Sequence, residues 1–284
     1  MTARPDDVAA QVRSQRQRVS DRLAAVRRVV AVMSGKGGVG KSALTANLAA
    51  AFALRGWAVG VLDADLNGAS AAAMLGARGQ AVRLGADGAQ PAVGVAGVRV
   101  MSMDLFLDGD DRPVAWKHPG GLAADGFAWR GLLEANVLRE YLSDTDWGAL
   151  DLLLIDLPPG AGGVETLARF VPGRVGAVVV TIPSPVAYLV VRRSVQAARQ
   201  AGVSLLGLVE NMASPADEAG GAQFAAEARL AYLGSVPHDP SLARATDSGR
   251  PPTLHGAVTP AGAAILAVME RLEAVLAGAD GTNP

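Results

Sequence analysis

The chain has no cysteine in its 284 residues and only three histidines. Disulfides and thiolate metal ligands are excluded, and three scattered imidazoles make a poor metal cage. Charge of one sign is also missing: 26 Lys+Arg face 27 Asp+Glu, a formal net charge of −1. Nothing in that balance demands nucleic acid or an anionic membrane as a partner. Nor is there an uninterrupted apolar run of membrane length. The most apolar uncharged run, VGAVVVTIPSPVAYLVV from Val175 to Val191, is broken by Pro-Ser-Pro, whereas a spanning helix needs about 20 apolar residues. It reads as a buried strand, a turn and a helix start. The opening MTARPDDVAAQVRSQ lacks the apolar core of a signal peptide. The expectation is a soluble, cytoplasmic protein with no membrane partner.

What is present is half hydrophobic, enough to bury a substantial core in one large α/β domain or two small ones. Residues 1–28 are Arg/Gln-rich, with Val12, Val19, Leu23 and Val26 at roughly helical spacing. From residue 29 to 278, strand and helix patterns alternate. RRVVAVM reads as a buried strand, and KSALTANLAAAFALR (Lys41–Arg55) as a strong helix ended by Gly56. WAVGVLDAD and DLLLIDLPPG are further strands closing on aspartates, and GAVVVTI, SLLGLVE and LAYLGSV are three more. Helical stretches fall at Leu132–Leu142, Val186–Arg199, Ala222–Leu230 and Ala261–Ala277. Gly76–Gly97 is weakly patterned, Val98–Met103 is a candidate strand, and Asp104–Gly126 reads as an irregular insertion. Residues 279–284 are expected to fray. Strand-helix-strand crossovers of this length imply right-handed βαβ units and a doubly wound, mostly parallel sheet with helices on both faces. In such sheets ligands bind beyond the carboxyl ends of the strands.

The stretch SGKGGVGKS, Ser34 to Ser42, matches G-x-x-x-x-G-K-[ST]. Gly35, Gly37, Gly38 and Gly40 let backbone N–H groups turn toward phosphate oxygens, with Lys36, Val39 and Ala43 on the same loop and helix start. Lys41 is placed to neutralise the outer phosphates, and Ser42 to ligate Mg²⁺. The helix that follows offers its positive end.

A phosphate loop needs one lysine; this one has two, and the pattern x-Lys-Gly-Gly-x-Gly-Lys-[Ser/Thr] resembles the deviant Walker A loop of the MinD/ParA/Mrp ATPases. That resemblance implies a P-loop ATPase in which Lys36 reaches across a homodimer interface to the partner's phosphates. A cation delivered in this way is worth roughly 10³–10⁵ in rate. It further implies that Asp65 orients or activates the attacking water and that Asp63 makes Mg²⁺-shell contacts. Asp156, ending LLLID, would hold a magnesium-bound water, and Pro158-Pro159-Gly160 would form a switch. ATP and Mg²⁺ are the cofactors expected.

Within the group, the chain from about Val29 to Pro251 resembles the Mrp-type iron-sulfur carrier ATPases. The shared stretches include SGKGGVGKS, DADLNGAS, VMSMDLFLD, WRG at Trp129–Gly131, DWGALDLLLIDLPPGAGG, LGLVENM and GSVPHDPSLARATDSGRP. By the same resemblance Asn211, Pro237 and Asp239 lie around the adenine. The departures are as specific. Carriers of the family place Cys-x-x-Cys after Glu-Asn-Met, where this chain reads MASPADEAGGAQF. Ser214, Asp217 and Glu218 are hard oxygen donors, unlike the thiolates that hold clusters, so no cluster is expected from this chain alone. Ala161 and Gly163 replace a hydroxyl and a carboxylate of the family's switch, and Asn67 replaces a tyrosine.

The expected function is therefore a Mg²⁺-dependent, homodimeric ATPase switch of the Mrp type with an unidentified client. Two alternatives stand beside it. One is a ParA/MinD-like positioning ATPase, using the arginines at 13, 16, 18, 22, 27 and 28 on DNA, although a solvated helix is the commoner explanation of such a run. The other is a nucleotide-binding scaffold with little turnover.

Overall fold

The computed structural model describes residues 5–66, 68–106, 127–214, 220–256 and 258–280, with side chains omitted for residues 5–12, 127–133 and 279–280. Asn67, Asp217, Glu218, most of the 104–126 insertion and the last four residues lie outside the described residues.

Ten strands and nine helices follow one another among the described residues: α1 (Pro5–Arg22), β1 (Val29–Ser34), α2 (Lys41–Leu54), β2 (Val59–Asp63), α3 (Ala71–Met74), β3 (Arg83–Gly85), β4 (Gly88–Gln90), β5 (Ala92–Val93), β6 (Arg99–Met101), α4 (Phe127–Asp144), β7 (Leu152–Asp156), α5 (Gly162–Phe170), β8 (Val175–Thr181), α6 (Pro185–Gln200), β9 (Ser204–Ala213), α7 (Gly220–Glu227), β10 (Tyr232–Pro237), α8 (Pro240–Asp247) and α9 (Pro260–Asp280). Eight strands form one sheet in the order β10-β9-β8-β1-β7-β2-β6-β5. All its pairings are parallel except β5 with β6. The doubly wound, mostly parallel sheet expected from the sequence is what the chain forms.

The β-branched run of β1 explains its central place. All six residues are buried, and alternate side chains go to opposite faces, as a strand's period of two requires. Val29, Ala31 and Met33 join a core with Val19, Leu142, Trp147, Leu167, Val191 and Phe224, under α1, α4, α5, α6 and α7. Val30 and Val32 join a second core with Leu48, Phe52, Leu75 and Ile265, under α2, α3 and α9. Because β1 lies between β7 and β8, the loop after β1 emerges at the middle of the carboxyl edge. Asp63 and Asp156 sit directly opposite one another where β2 and β7 end. Strand order alone thus gathers the phosphate loop and two aspartates into one place.

The section from Gly76 to Gly97 contains an antiparallel hairpin, β3–β4, and the short edge strand β5. The helices α3, α5 and α8 have no counterpart in the sequence expectations. The carboxyl-terminal helix packs across α2, where Arg55 pairs with Glu270 and Glu273.

One buried polar network fastens α2 to the end of the domain. Asn47 Nδ2 donates to Ala43 O at 2.9 Å and to Thr246 Oγ1 at 3.0 Å. Thr253 Oγ1 donates to Asn47 O at 3.0 Å and lies 3.2 Å from Asn47 Oδ1. All three side chains are fully buried, so removing one leaves its partners unsatisfied. Asn47→Ala is expected to lower unfolding stability by about 1–3 kcal/mol, read from urea denaturation. A change near zero would show that water satisfies the two threonines.

Candidate nucleotide-binding site

The loop from Gly35 to Gly40 joins a buried strand to a helix with no side-chain cap and no acidic residue in its first turn. The first-turn N–H groups of a helix have no intrahelical acceptor, so α2 presents donors and a positive dipole end at the loop. Gly38 and Gly40 both take φ of 76°, a left-handed conformation that costs glycine little. Gly37 and Gly38 face open space, for a Cβ on either would meet nothing within 4 Å. Gly35 and Gly40 are glycines for another reason. A Cβ on Gly35 would lie 2.8 Å from the Val191 backbone, and one on Gly40 would lie 2.3 Å from Asn211 Nδ2. The loop is closed on its protein side and open on the other.

Beneath it lies a buried charge pair. Lys41 Nζ contacts Asp156 Oδ1, and both side chains are buried. Thr45, one turn along α2, donates from Oγ1 to Lys41 O at 2.9 Å and to Asp156 Oδ1 at 3.3 Å. The second oxygen, Asp156 Oδ2, is buried with no hydrogen-bond partner. A buried, unbonded carboxylate oxygen is costly, and a metal-bound water is the donor that such an oxygen suits. Ser42 is half-buried in the same first turn, so the residues present fit Mg²⁺ at Ser42 and Asp156. Ala43 follows it on the helix, its carbonyl taken by Asn47.

Asp63, expected to make magnesium-shell contacts, is engaged by its own chain. Its Oδ2 accepts from Ser70 N at 2.8 Å, Ala71 N at 2.9 Å and Ser102 Oγ at 3.1 Å, and its Oδ1 from Asp65 N at 3.2 Å. It staples the turn that carries half-buried Asp65 to the end of β2. Burial, and next the charge of Asp156, push its carboxyl up to about 7, against the opposing pull of the Ala71 and Ser70 N–H groups and Lys41.

Two further expected residues, Asn211 and Asp239, bond this chain's own backbone. Asn211 Nδ2 donates to Val39 O at 2.8 Å, so the end of β9 braces the phosphate loop from the side. Asp239 caps α8, its Oδ1 accepting from Ser241 N at 2.8 Å, Ser241 Oγ at 2.6 Å and Leu242 N at 3.3 Å. The Ser241 hydroxyl is the main reason its carboxyl titrates below the usual range. Pro237 ends β10, two residues before that cap. Lys36 is half-buried; its carbonyl accepts from Ser34 Oγ at 3.0 Å, while its ammonium makes no ion pair among the described residues. The Pro158-Pro159-Gly160 segment runs beside the loop, with Gly160 N donating to Ser34 O at 2.8 Å and Gly160 at φ of 98°.

Thr45 and Ser102 were not among the expected site residues. Thr45 had a readable signal, being four residues after Lys41 and so on the same helix face. Ser102 follows β6 immediately, next to β2 in the sheet, a neighbour that only the strand order reveals.

The raised carboxyl of Asp63 makes stability depend on pH. Between the ordinary carboxylate pKa near 4 and about 7, the folded nucleotide-free protein holds a proton that the unfolded chain has released. Its stability should therefore fall as pH rises through that window and level off above it. Thermal melts across the window should show this fall flattened in Asp63→Asn; an identical slope in both proteins would contradict the assignment.

Comparison with known proteins agrees with this geometry. The family description "ParA: NUBPL iron-transfer P-loop NTPase" matches residues 25–273. An iron-sulfur cluster carrier protein of Saccharolobus solfataricus is 40% identical over 256 residues, covering 86% of this chain and 82% of its own. The human cytosolic Fe-S cluster assembly factor NUBP2 is 35% identical over 268 residues, covering 88% and 93%. Among solved structures, a nucleotide-binding protein of Archaeoglobus fulgidus in complex with ADP superposes with a TM-score of 0.68 at 31% identity, covering 86% of this chain and 94% of that one. The cell-division ATPase MinD of Pyrococcus furiosus shares the fold at a TM-score of 0.63 and 21% identity, covering 88% and 100%. The chain belongs to the NUBPL-type iron-transfer P-loop NTPases of the ParA group.

Proposed function

We propose that this chain is a Mg²⁺-dependent ATPase working as a homodimeric switch in the cytoplasm. The observation that carries the reading is Asp156. One oxygen holds Lys41 and Thr45 beneath an open glycine loop, and the other is buried and unbonded. Such a carboxylate is suited to a hydrated cation beside the phosphates that the loop and α2 would bind. Magnesium bound there would neutralise phosphate charge and fix the oxygens in place. Lys41 would turn from Asp156 toward the outer phosphates, and Ser42 would supply its hydroxyl to the metal. Asp65, held by the Asp63 staple, would orient the attacking water; Asp63 itself serves as organiser of that turn.

Lys36 has no ion-pair partner among the described residues and stands beside the open Gly37 and Gly38. That placement supports its use in trans, as a cation lent to the nucleotide of a second protomer. The cargo of the related carriers named above is an iron-sulfur cluster. This chain has no cysteine, so any cluster it handles would need thiolates from a partner. The DNA-positioning alternative loses support from the arginines themselves. Arg22 bonds Ser143 O and Asp87 O, Arg27 pairs with Asp151, and Arg28 lies over the Trp57 ring. Three of the six arginines are thus engaged within the chain. No described helix is long and apolar enough to cross a membrane, and the human relative's name places that protein in the cytosol.

Lys36→Ala should bind ATP within about threefold of the parent but lose ATP-dependent dimerisation and roughly three orders of magnitude in turnover. Light scattering with ATP present and absent reads the first loss, and phosphate release reads the second. Dimerisation unaffected by the substitution would refute the role in trans.

A further inference from the structure

The arginine-rich segment is not used by the nucleotide site, and its side chains divide between two sides of α1. Arg18 and Arg22 line a cavity shared with Asp21, Asp87, Asp144 and Asp146, so carboxylates already balance their charge. Arg13 and Arg16 point elsewhere, into a groove of about 340 Å³ between α1 and the turn joining α5 to β8. Arg174 forms a third basic wall beside Gln17, Phe170 and Pro172, and among the described residues no carboxylate lines the groove. Arg174 is fixed by donating to Leu23 O at 3.2 Å and Val26 O at 2.8 Å. Asp21, one turn along, accepts from Gln17 at 2.7 Å and lines the other cavity. Arg13 and Arg16 are exposed, so neither is spent on folding.

We propose that this groove docks a short acidic segment of a partner protein, its carboxylates meeting Arg13 and Arg16 and an apolar side chain resting on Phe170 and Pro172. Guanidinium groups pair with carboxylates through two parallel hydrogen bonds. The volume suits a few side chains, comparable with the smaller ligand pockets of proteins. Nucleic acid suits the groove less well. A phosphate backbone needs a row of cations along its track, and the remaining arginines of the segment diverge or are engaged. An apolar wall adds nothing to phosphate recognition, whereas it gives a peptide a second anchor. The groove also has a definite address: its wall is the last turn of α5, a nine-residue helix that begins just beyond Pro158–Gly160. The inference does not depend on nucleotide turnover and stands or falls separately from it.

The test uses the full chain and a fluorescein-labelled, capped octapeptide of glutamates and aspartates around one central phenylalanine. Fluorescence anisotropy at low salt should show saturable binding. Arg13→Ala/Arg16→Ala should weaken it at least about tenfold, with most of the affinity kept in Arg13→Lys/Arg16→Lys. The control Arg244→Ala/Arg250→Ala removes the same charge at exposed positions on and after α8 and should leave binding unchanged. Since Arg13 and Arg16 are exposed, melting curves should show all three variants folded. Absence of peptide binding, an equal loss in the control, or tighter Arg13/Arg16-dependent binding of a DNA duplex than of the peptide would each overturn the proposal.

Discussion

The ion pair between Lys41 and Asp156 is the interaction around which this molecule is arranged. Burying two charges costs several kcal/mol for each ion before their attraction is counted, and here both lie out of solvent with one carboxylate oxygen still unbonded. A fold selected for stability alone would gain by replacing such a pair with apolar side chains. It makes sense as a site held ready. The β1-α2 connection sets the lysine at the helix start, and the end of β7 sets the aspartate under it. Thr45 braces the pair from one turn away. Around it, Asn211 steadies the loop and Asp63 steadies the turn bearing Asp65, so groups from four strands converge on one small volume.

The parallel core was readable because buried central strands carry dense β-branched and aliphatic runs, punctuated by Gly35 after β1, by aspartates ending β2 and β7, and by Pro183 after β8. The phosphate loop was readable because backbone N–H groups turning toward phosphate call for a Gly-x-x-x-x-Gly-Lys-Ser pattern. Less was readable where structure depends on distant neighbours. Helix α5 opens on Gly162 and Gly163, whose low helix propensity masks it, and α8 is eight residues long, too short for periodicity to declare itself. The β3–β4 hairpin has only three residues per strand, with Leu84 on its surface, too few for an alternation to be read. At the site, the aspartates at strand ends were visible, but what each one holds was not. The donors to Asp63 come from residues 70, 71 and 102, the last brought near only by the sheet order. Asn211 was expected beside the adenine, and its bond to Val39 O emerges only once β9 is seen to run past the phosphate loop.

The phosphate loop, the β2 and β7 aspartates and the Asn211 brace come together at the carboxyl edge of the sheet. No cysteine stands anywhere in the sequence to hold a cluster. At Gly163 a Cβ would come within 3.1 Å of the Pro158 ring, so the switch is packed closely against its own proline with no side chain at that position. With no cysteine in the chain, a client has to be met by other chemistry. The arginine-lined groove beside the far end of α5 is a place where such a client could be engaged without thiolates.

The central claim is that Asp156 keeps an oxygen in reserve for a hydrated magnesium ion at the phosphates. Calorimetric titration of ATP into the parent and Asp156→Asn proteins, with and without Mg²⁺, tests it most directly. The account predicts that magnesium strengthens ATP binding to the parent and that this strengthening is largely lost in the variant, with magnesium-free binding little changed. An equal gain from magnesium in both proteins would contradict it.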